Sequence, residues 1–205
     1  MNTQRFCLSD GWKRNDFPYN YHFIGLINLI SKLTEYDWVT IKKGNEAILS
    51  GTMIEIGSYM GESTMMFASS GIFKTIHSIE PHQGAELFNE TNGYDWSDVE
   101  REYIINTRYF DNIIHHKDYS YNISEEFEDN SIDFIYIDAD HTYESVNRDL
   151  KLYLPKLKPN GWIGGHDYNK NQWPGVVKAI NENIGKPQHI FKDTSWLSKH
   201  KTQLL

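Results

Sequence analysis

The stretch Thr52-Met53-Ile54-Glu55-Ile56-Gly57-Ser58-Tyr59-Met60-Gly61-Glu62-Ser63-Thr64 changes its period in the middle. Its first five residues form a short apolar run ending in glycine, the pattern of a strand buried on both faces of a parallel sheet. From 62 to 70 the pattern turns helical, with Met65, Met66 and Phe67 available for packing. Gly57 and Gly61 allow a tight turn and a close backbone approach by a ligand. The free N–H groups of the following helix suit a carboxylate or phosphate. The junction is neither the dinucleotide fingerprint nor the P-loop, which needs a Lys before Ser or Thr.

Outward from this junction, strand and helix signals alternate. Strands are expected at 75–79, 113–116, 132–137 and 162–165, followed by short ones at 188–192 and 195–199. Val146, Leu150, Tyr153, Leu154 and Leu157 form a helical stripe that stops at the turn Pro159-Asn160-Gly161. Another helix is expected near 175–183. Upstream, Phe23, Leu26, Ile27, Ile30 and Leu33 follow amphipathic spacing. Residues 1–18 read as an irregular arm, and 89–101 as a polar loop leading into a helix. The fold class is therefore α/β: a doubly wound, seven-stranded sheet, mostly parallel, with a C-terminal antiparallel hairpin. Residues 1–44 are expected to form an N-terminal arm and helix, and 45–205 the main domain.

Composition narrows the partners. The 205 residues carry 20 Lys and Arg against 28 Asp and Glu, a net charge of −8 that opposes binding to a nucleic-acid backbone. Aromatic residues make up 14% and supply large buried areas, which argues for a packed core rather than disorder. No apolar run is long enough to span a membrane. Residues 1–5 lack the pattern of a secretion signal. The single cysteine, Cys7, excludes an internal disulfide and a multi-cysteine zinc site. A cytoplasmic protein is expected, with no nucleic-acid or membrane partner and with a homo-oligomer left open.

In doubly wound sheets ligands sit beyond the C-terminal strand ends, so the residues there matter most. The second strand ends in Ile79-Glu80-Pro81, where an acid is well placed to accept from both hydroxyls of a ribose. The third is followed by Asp118-Tyr119, and Asp118 suits either an adenine amino group or a local turn. The fourth delivers Asp138-Ala139-Asp140-His141 and the fifth Gly165-His166-Asp167-Tyr168. Clustered acids need a cation to compensate them. Carboxylates suit Mg²⁺, Mn²⁺ or Ca²⁺, and an added imidazole admits Mn²⁺ or Fe²⁺.

The run from Ile132 to Leu150, continued by Leu157 to Tyr168, resembles the class I S-adenosylmethionine-dependent methyltransferases, a Rossmann-like family. Within them it is similar to small-molecule O-methyltransferases with D-x-D-H after the fourth strand and G-G-x-D-Y after the fifth. The resemblance covers about residues 45–200 and includes Pro174-Gly175-Val176 and Ser195-Trp196. It implies that Gly57, Ser58, Tyr59 and Gly61 frame the methionine part of the cofactor. Glu55 would lie near its amino group and Ser63 near its carboxylate. Glu80 would hold the ribose, with Asp118 and Tyr119 beside the adenine. Asp138, which also borders the cofactor, and Asp167 correspond to acids that hold Mg²⁺ in metal-dependent members. His166 is a further candidate ligand, with Mg²⁺ or Mn²⁺ as the ion. His141 falls where some sugar and macrolide members place their general base. The sequence departs from catechol-type members at Tyr168 and from macrolide-sugar members at His166. Residues 1–44 match nothing in the family pattern and lie where such enzymes build an acceptor lid.

The expected reaction is methyl transfer from S-adenosylmethionine to a hydroxyl of a small molecule, with Asp138 and His141 in the catalytic roles. Tyr59, Tyr143, Tyr168 and Trp173 are candidates for an aromatic acceptor pocket. Two rival readings remain: a metal-dependent oxygenase on a similar scaffold, and a cofactor-binding module without catalysis. A nicotinamide-dependent dehydrogenase fits less well, because the loop lacks the third glycine.

Overall fold

A computed structural model describes residues 23–35, 40–43, 46–49, 51–83 and 95–200. The arm expected at 1–18 lies outside the described residues, as does most of the polar loop before 95. Among the described residues no helix is long and apolar enough to cross a membrane.

The opening stretch folds as its period demands. Strand β3 (Gly51–Ile56) runs into helix α2 (Glu62–Ser70) through a turn in which Gly57, Tyr59 and Gly61 are all left-handed. β3 is the middle of the five parallel strands in a seven-stranded sheet. On one side lie β4 (Phe73–Ile79) and β5 (Ile113–His116), and on the other β6 (Ile132–Ile137) and β7 (Leu157–Gly165), all parallel. β9 (Trp196–Lys199) pairs antiparallel with β7, and β8 (His189–Ile190) closes that edge. The order β5-β4-β3-β6-β7-β9-β8 reverses direction between β3 and β6, which sets the ligand crevice there.

Side chains alternate across the strands and feed two cores. Ile54, Ile56, Ile135 and Ile137 meet α5 (Tyr143–Tyr153) and α6 (Pro174–Ile184) through Val146, Leu150, Val176 and Ile180. Met53, Phe134 and Tyr136 meet α1 (Ile24–Leu33) and α2 through Leu26, Leu29, Leu33 and Phe67. Phe67 sits edge-on to Phe73, Phe134 and Tyr136, the geometry that aromatic rings prefer. Helix α3 (Trp96–Thr107) packs beside α2, and the short α4 (Ser120–Ile123) follows β5.

Three expectations need correction. In α1 the buried stripe is Leu26, Leu29 and Leu33, whereas Ile27 faces solvent. Leu157 is not helical: α5 ends at Tyr153, a 3₁₀ turn carries Pro155, and Leu157 starts β7. Proline has no N–H to continue the helix, so the apolar spacing outlasts the backbone. The turn at Pro159-Asn160-Gly161 lies inside β7 as an irregularity, because Ile132 pairs with Leu157 but Phe134 with Trp162. Asn160 takes the left-handed conformation that this excursion requires, with φ 65. A hairpin of β1 (Thr40–Lys43) and β2 (Glu46–Leu49) had no sequence signal and straddles the expected boundary at residue 44.

Candidate active site

Glu55 is fully buried at the end of β3. Ser63 Oγ donates to its Oε1 at 2.5 Å, and the Thr64 hydroxyl donates to Oε2. Burial pushes its pKa up to about 7, against those two donors. Gly57 adopts φ 85, and a Cβ there would stand 2.3 Å from the Asp138 carbonyl oxygen. Glycine therefore lets the ends of β3 and β6 run together, and the Asp138 N–H donates to Ile56 at 2.9 Å. Ser58 is buried with its hydroxyl unpartnered among the described residues, and Gly61 opens α2 with φ 77.

Glu80 follows β4 and is 8% exposed. The Tyr59 N–H donates to its Oε2 at 2.9 Å and the His82 N–H to its Oε1 at 3.1 Å. Burial raises its pKa, and the two amides oppose the rise. Both oxygens are thus oriented before any ligand arrives. Asp118 Oδ1 accepts from Tyr119 N–H and from Asn122, each at 2.7 Å, so it organises the turn after β5. Tyr119 stacks on Tyr121.

Across the crevice, the loops after β6 and β7 bring three groups together. His141 Nε2 lies 2.7 Å from Asp167 Oδ2 and 3.7 Å from Asp138 Oδ1. The three ligand atoms fall within 4.8 Å of one another. Burial would lower the His141 pKa, but Asp138 and Asp167 outweigh it and push it up to about 10. His166 lies on the far side, with Nδ1 3.2 Å from Asp167 Oδ1, and carboxylates push its pKa up to about 9 despite burial. Burial would raise Asp167, but His141 and His166 hold it well below the usual carboxylate range. Asp167 is itself left-handed, with φ 62. Asp138, His141 and Asp167 thus converge, whereas His166 is not in that trio.

The donor set fits a divalent cation: two carboxylates and one imidazole, with the imidazoles of His141 and His166 now offsetting the acids. Asp140 is committed elsewhere, accepting from Thr142 N–H at 2.9 Å and Ser145 Oγ at 3.1 Å. Of the aromatic candidates, Trp173 lies against the His141 ring, with centroids 4.3 Å apart. Tyr143 and Tyr168 donate to Glu182 and Asn181 of α6, at 2.6 and 2.9 Å. Tyr59 meets Trp96 edge-on. Sequence reasoning missed Thr64 and His82. The hydroxyl next to Ser63 was a readable signal for the first, but none existed for the second, which acts through its backbone.

The model of a methyltransferase-domain family matches residues 54–168, from the middle of β3 to the loop after β7. The chain belongs to that family. It carries a methyltransferase domain, on a Rossmann-like fold. A relative, the uncharacterized protein R132 of Acanthamoeba polyphaga mimivirus, is 28% identical over 142 residues, covering 67% of this chain. The chain spans 61% of that relative's length. Two solved structures share the fold. One is a Klebsiella pneumoniae protein considered an O-methyltransferase, with TM-score 0.56, 16% identity, and 92% and 84% of the two chains covered. The other is CalS11, a TDP-rhamnose 3′-O-methyltransferase of calicheamicin biosynthesis, with TM-score 0.55, 13% identity, and 96% and 90% covered.

Proposed function

We propose that this methyltransferase moves the methyl group of S-adenosylmethionine to a hydroxyl of a small molecule such as a sugar, a phenol or a natural product. The observation that carries the proposal is the meeting of Asp138, His141 and Asp167 across the crevice from the prepared carboxylate of Glu80. Glu80 holds the ribose and Gly57 admits the methionine part, with Glu55 beneath it. Asp118 and Tyr119 border the adenine. On this reading the sulfonium would lie beside Asp138.

In the transfer the carbon–sulfur bond breaks as the oxygen–carbon bond forms, and the hydroxyl proton must leave. The crevice holds both reactants in line, which removes much of the entropic barrier. His141 accepts the proton. The two acids hold its ring as an imidazolium in the isolated protein, so it serves as a base only when their charge is otherwise compensated. Asp138 and Asp167, with His166 as the further candidate ligand, would hold a divalent cation such as Mg²⁺ or Mn²⁺, which would lower the pKa of an acceptor hydroxyl and orient it, leaving His141 as the base. Trp173 lines the acceptor side.

Residues 1–44 are proposed as the acceptor lid. In support, Asp193 Oδ2 accepts from Leu26 N–H at 3.1 Å at the start of α1, and Asp193 also acts on the charge of His166. A Cβ at Gly25 would stand 1.5 Å from Asp193 Oδ1, so a larger residue there would displace that carboxylate. The entry of α1 is thus tied to the acceptor end of the sheet. The sugar acceptor of CalS11 exemplifies the class of substrate proposed, and a nucleic-acid acceptor is disfavoured by the net charge of −8.

Calorimetry with S-adenosylhomocysteine, with and without Mg²⁺, is the first test, followed by methyl transfer to a panel of sugars and phenols. Cofactor binding with methylation of a hydroxyl is expected. A protein that binds no S-adenosylhomocysteine, or that methylates only nitrogen or carbon acceptors, overturns the proposal.

A further inference from the structure

The two amides that grip Glu80 come from residues whose backbones are left-handed although neither is glycine. Tyr59 has φ 47 and His82 has φ 52. Residues with a Cβ enter this region only where their surroundings compensate, and such positions gather at functional sites. At His82 the compensation is visible. The residue is 4% exposed, and among the described residues neither ring nitrogen has a hydrogen-bond partner. The ring is held by packing instead: edge-on to Tyr103 of α3 at 5.3 Å and to His115 of β5 at 5.2 Å. Tyr103 and His115 themselves lie 4.3 Å apart, so the three rings form one packed cluster beside the turn after β4.

We propose that His82 is a positioning residue for the cofactor: its ring, lodged between α3 and β5, locks the turn left-handed so that its amide fixes Glu80 toward the ribose diol. This inference rests on the reading of Glu80 as the ribose acid. The imidazole acts through shape, not through its nitrogens or its charge. A hydrogen bond from a rigid amide fixes one oxygen, and the Tyr59 amide fixes the other, which leaves the outer lone pairs to face two hydroxyls at once. Loosening either amide lets the carboxylate turn and weakens both contacts together.

The test is calorimetry with S-adenosylhomocysteine and with its 2′-deoxy analogue. His82→Phe keeps the ring and removes the nitrogens, and is expected to bind S-adenosylhomocysteine within about threefold of the wild type. His82→Val removes the ring and is β-branched, hence strongly disfavoured at positive φ. It is expected to bind about tenfold more weakly, one step of 1.4 kcal/mol. Its preference for S-adenosylhomocysteine over the 2′-deoxy analogue should shrink as well, which general loosening of the fold would not cause. In a Glu80→Gln background His82→Val should cost less than about twofold, because the carboxylate it positions is gone. If circular dichroism finds His82→Val unfolded, His82→Ala takes its place with the same expected direction. Loss of affinity in His82→Phe as large as in His82→Val would overturn the proposal, since the nitrogens would then matter. So would wild-type ribose preference in a folded His82→Val or His82→Ala. A wild type whose affinity is indifferent to Glu80→Gln would instead sink the ribose reading of Glu80.

Discussion

At the β3–β4 side of the crevice, Glu55 and Glu80 are held by hydroxyls and backbone amides. At the β6–β7 side, Asp138 and Asp167 are held by imidazoles. The first pair is buried and the second half-buried, and the consequences are opposite. Neutral donors orient a carboxylate without cancelling its charge, so burial wins and both glutamates are pushed upward. Imidazoles bring charge of their own, and Asp167 is pulled down while His141 and His166 go up. On the proposed reading the cofactor's ammonium would compensate Glu55, while Glu80 faces neutral hydroxyls. The second side already carries its cation and must give it up, or shed a proton, before it can do anything else.

The largest expected effect lies on the second side. His141→Ala should lower turnover by ~10²–10⁴, the usual contribution of a positioned base, while changing affinity for S-adenosylhomocysteine little. Normal turnover at neutral pH would remove His141 from the reaction. The contrast itself is read by nuclear magnetic resonance: the His141 ring of the metal-free protein should remain charged at pH 8, since its pKa is pushed up to about 10. A ring already neutral at pH 7 would break the comparison. Next in size is Glu80→Ala on the first side. On the ribose reading it removes two charge-assisted hydrogen bonds, and a loss of at least about 100-fold in cofactor affinity is expected. Unchanged affinity in a folded variant would show that the prepared carboxylate serves something else.

The two sides were also unequally legible. Strand β6 and helix α2 fall where the sequence places them, because an apolar run of strand length and a change of period mark them. The acids at the strand ends were readable for the same reason: each follows an apolar run. Their partners were not. His141 sits three residues from Asp138 but comes closer to Asp167, which belongs to another strand, and only the register of β6 against β7 decides that. The clamp on Glu80 was invisible, since one of its donors is the amide of His82 and an amide carries no sequence signature. The β1–β2 hairpin has too few apolar residues to show a period, and α3 is mostly polar. Leu157 misled because spacing continued past a proline that the backbone could not follow.

The smallest expected effect is the cleanest probe of the contrast, because it concerns stability and needs no acceptor. Glu55 in the folded chain has a pKa of about 7 against an ordinary value of 4.5. Between those values the unfolded chain has lost the proton and the folded chain still holds it, so stability falls as pH rises through that window and levels off above it. The group then costs the folded state of order 1–3 kcal/mol at pH 8. Glu55→Gln keeps an acceptor for Ser63 or Thr64 and has no charge to bury. Its thermal midpoint should match the wild type near pH 4.5 and exceed it at pH 8, by roughly 2–4 °C per kcal/mol for a chain of this size. Asp167 predicts the reverse sign. Its folded pKa is depressed, so its contribution is present above the ordinary value of 3.8 and lost as pH falls, and Asp167→Asn should lower the midpoint at pH 8. Midpoints that move the same way in both variants would mean that the two sides store charge alike. If Glu55→Gln alone fails to stabilise at pH 8, then the Ser63 and Thr64 hydroxyls outweigh burial, and Glu55 meets the cofactor already ionised.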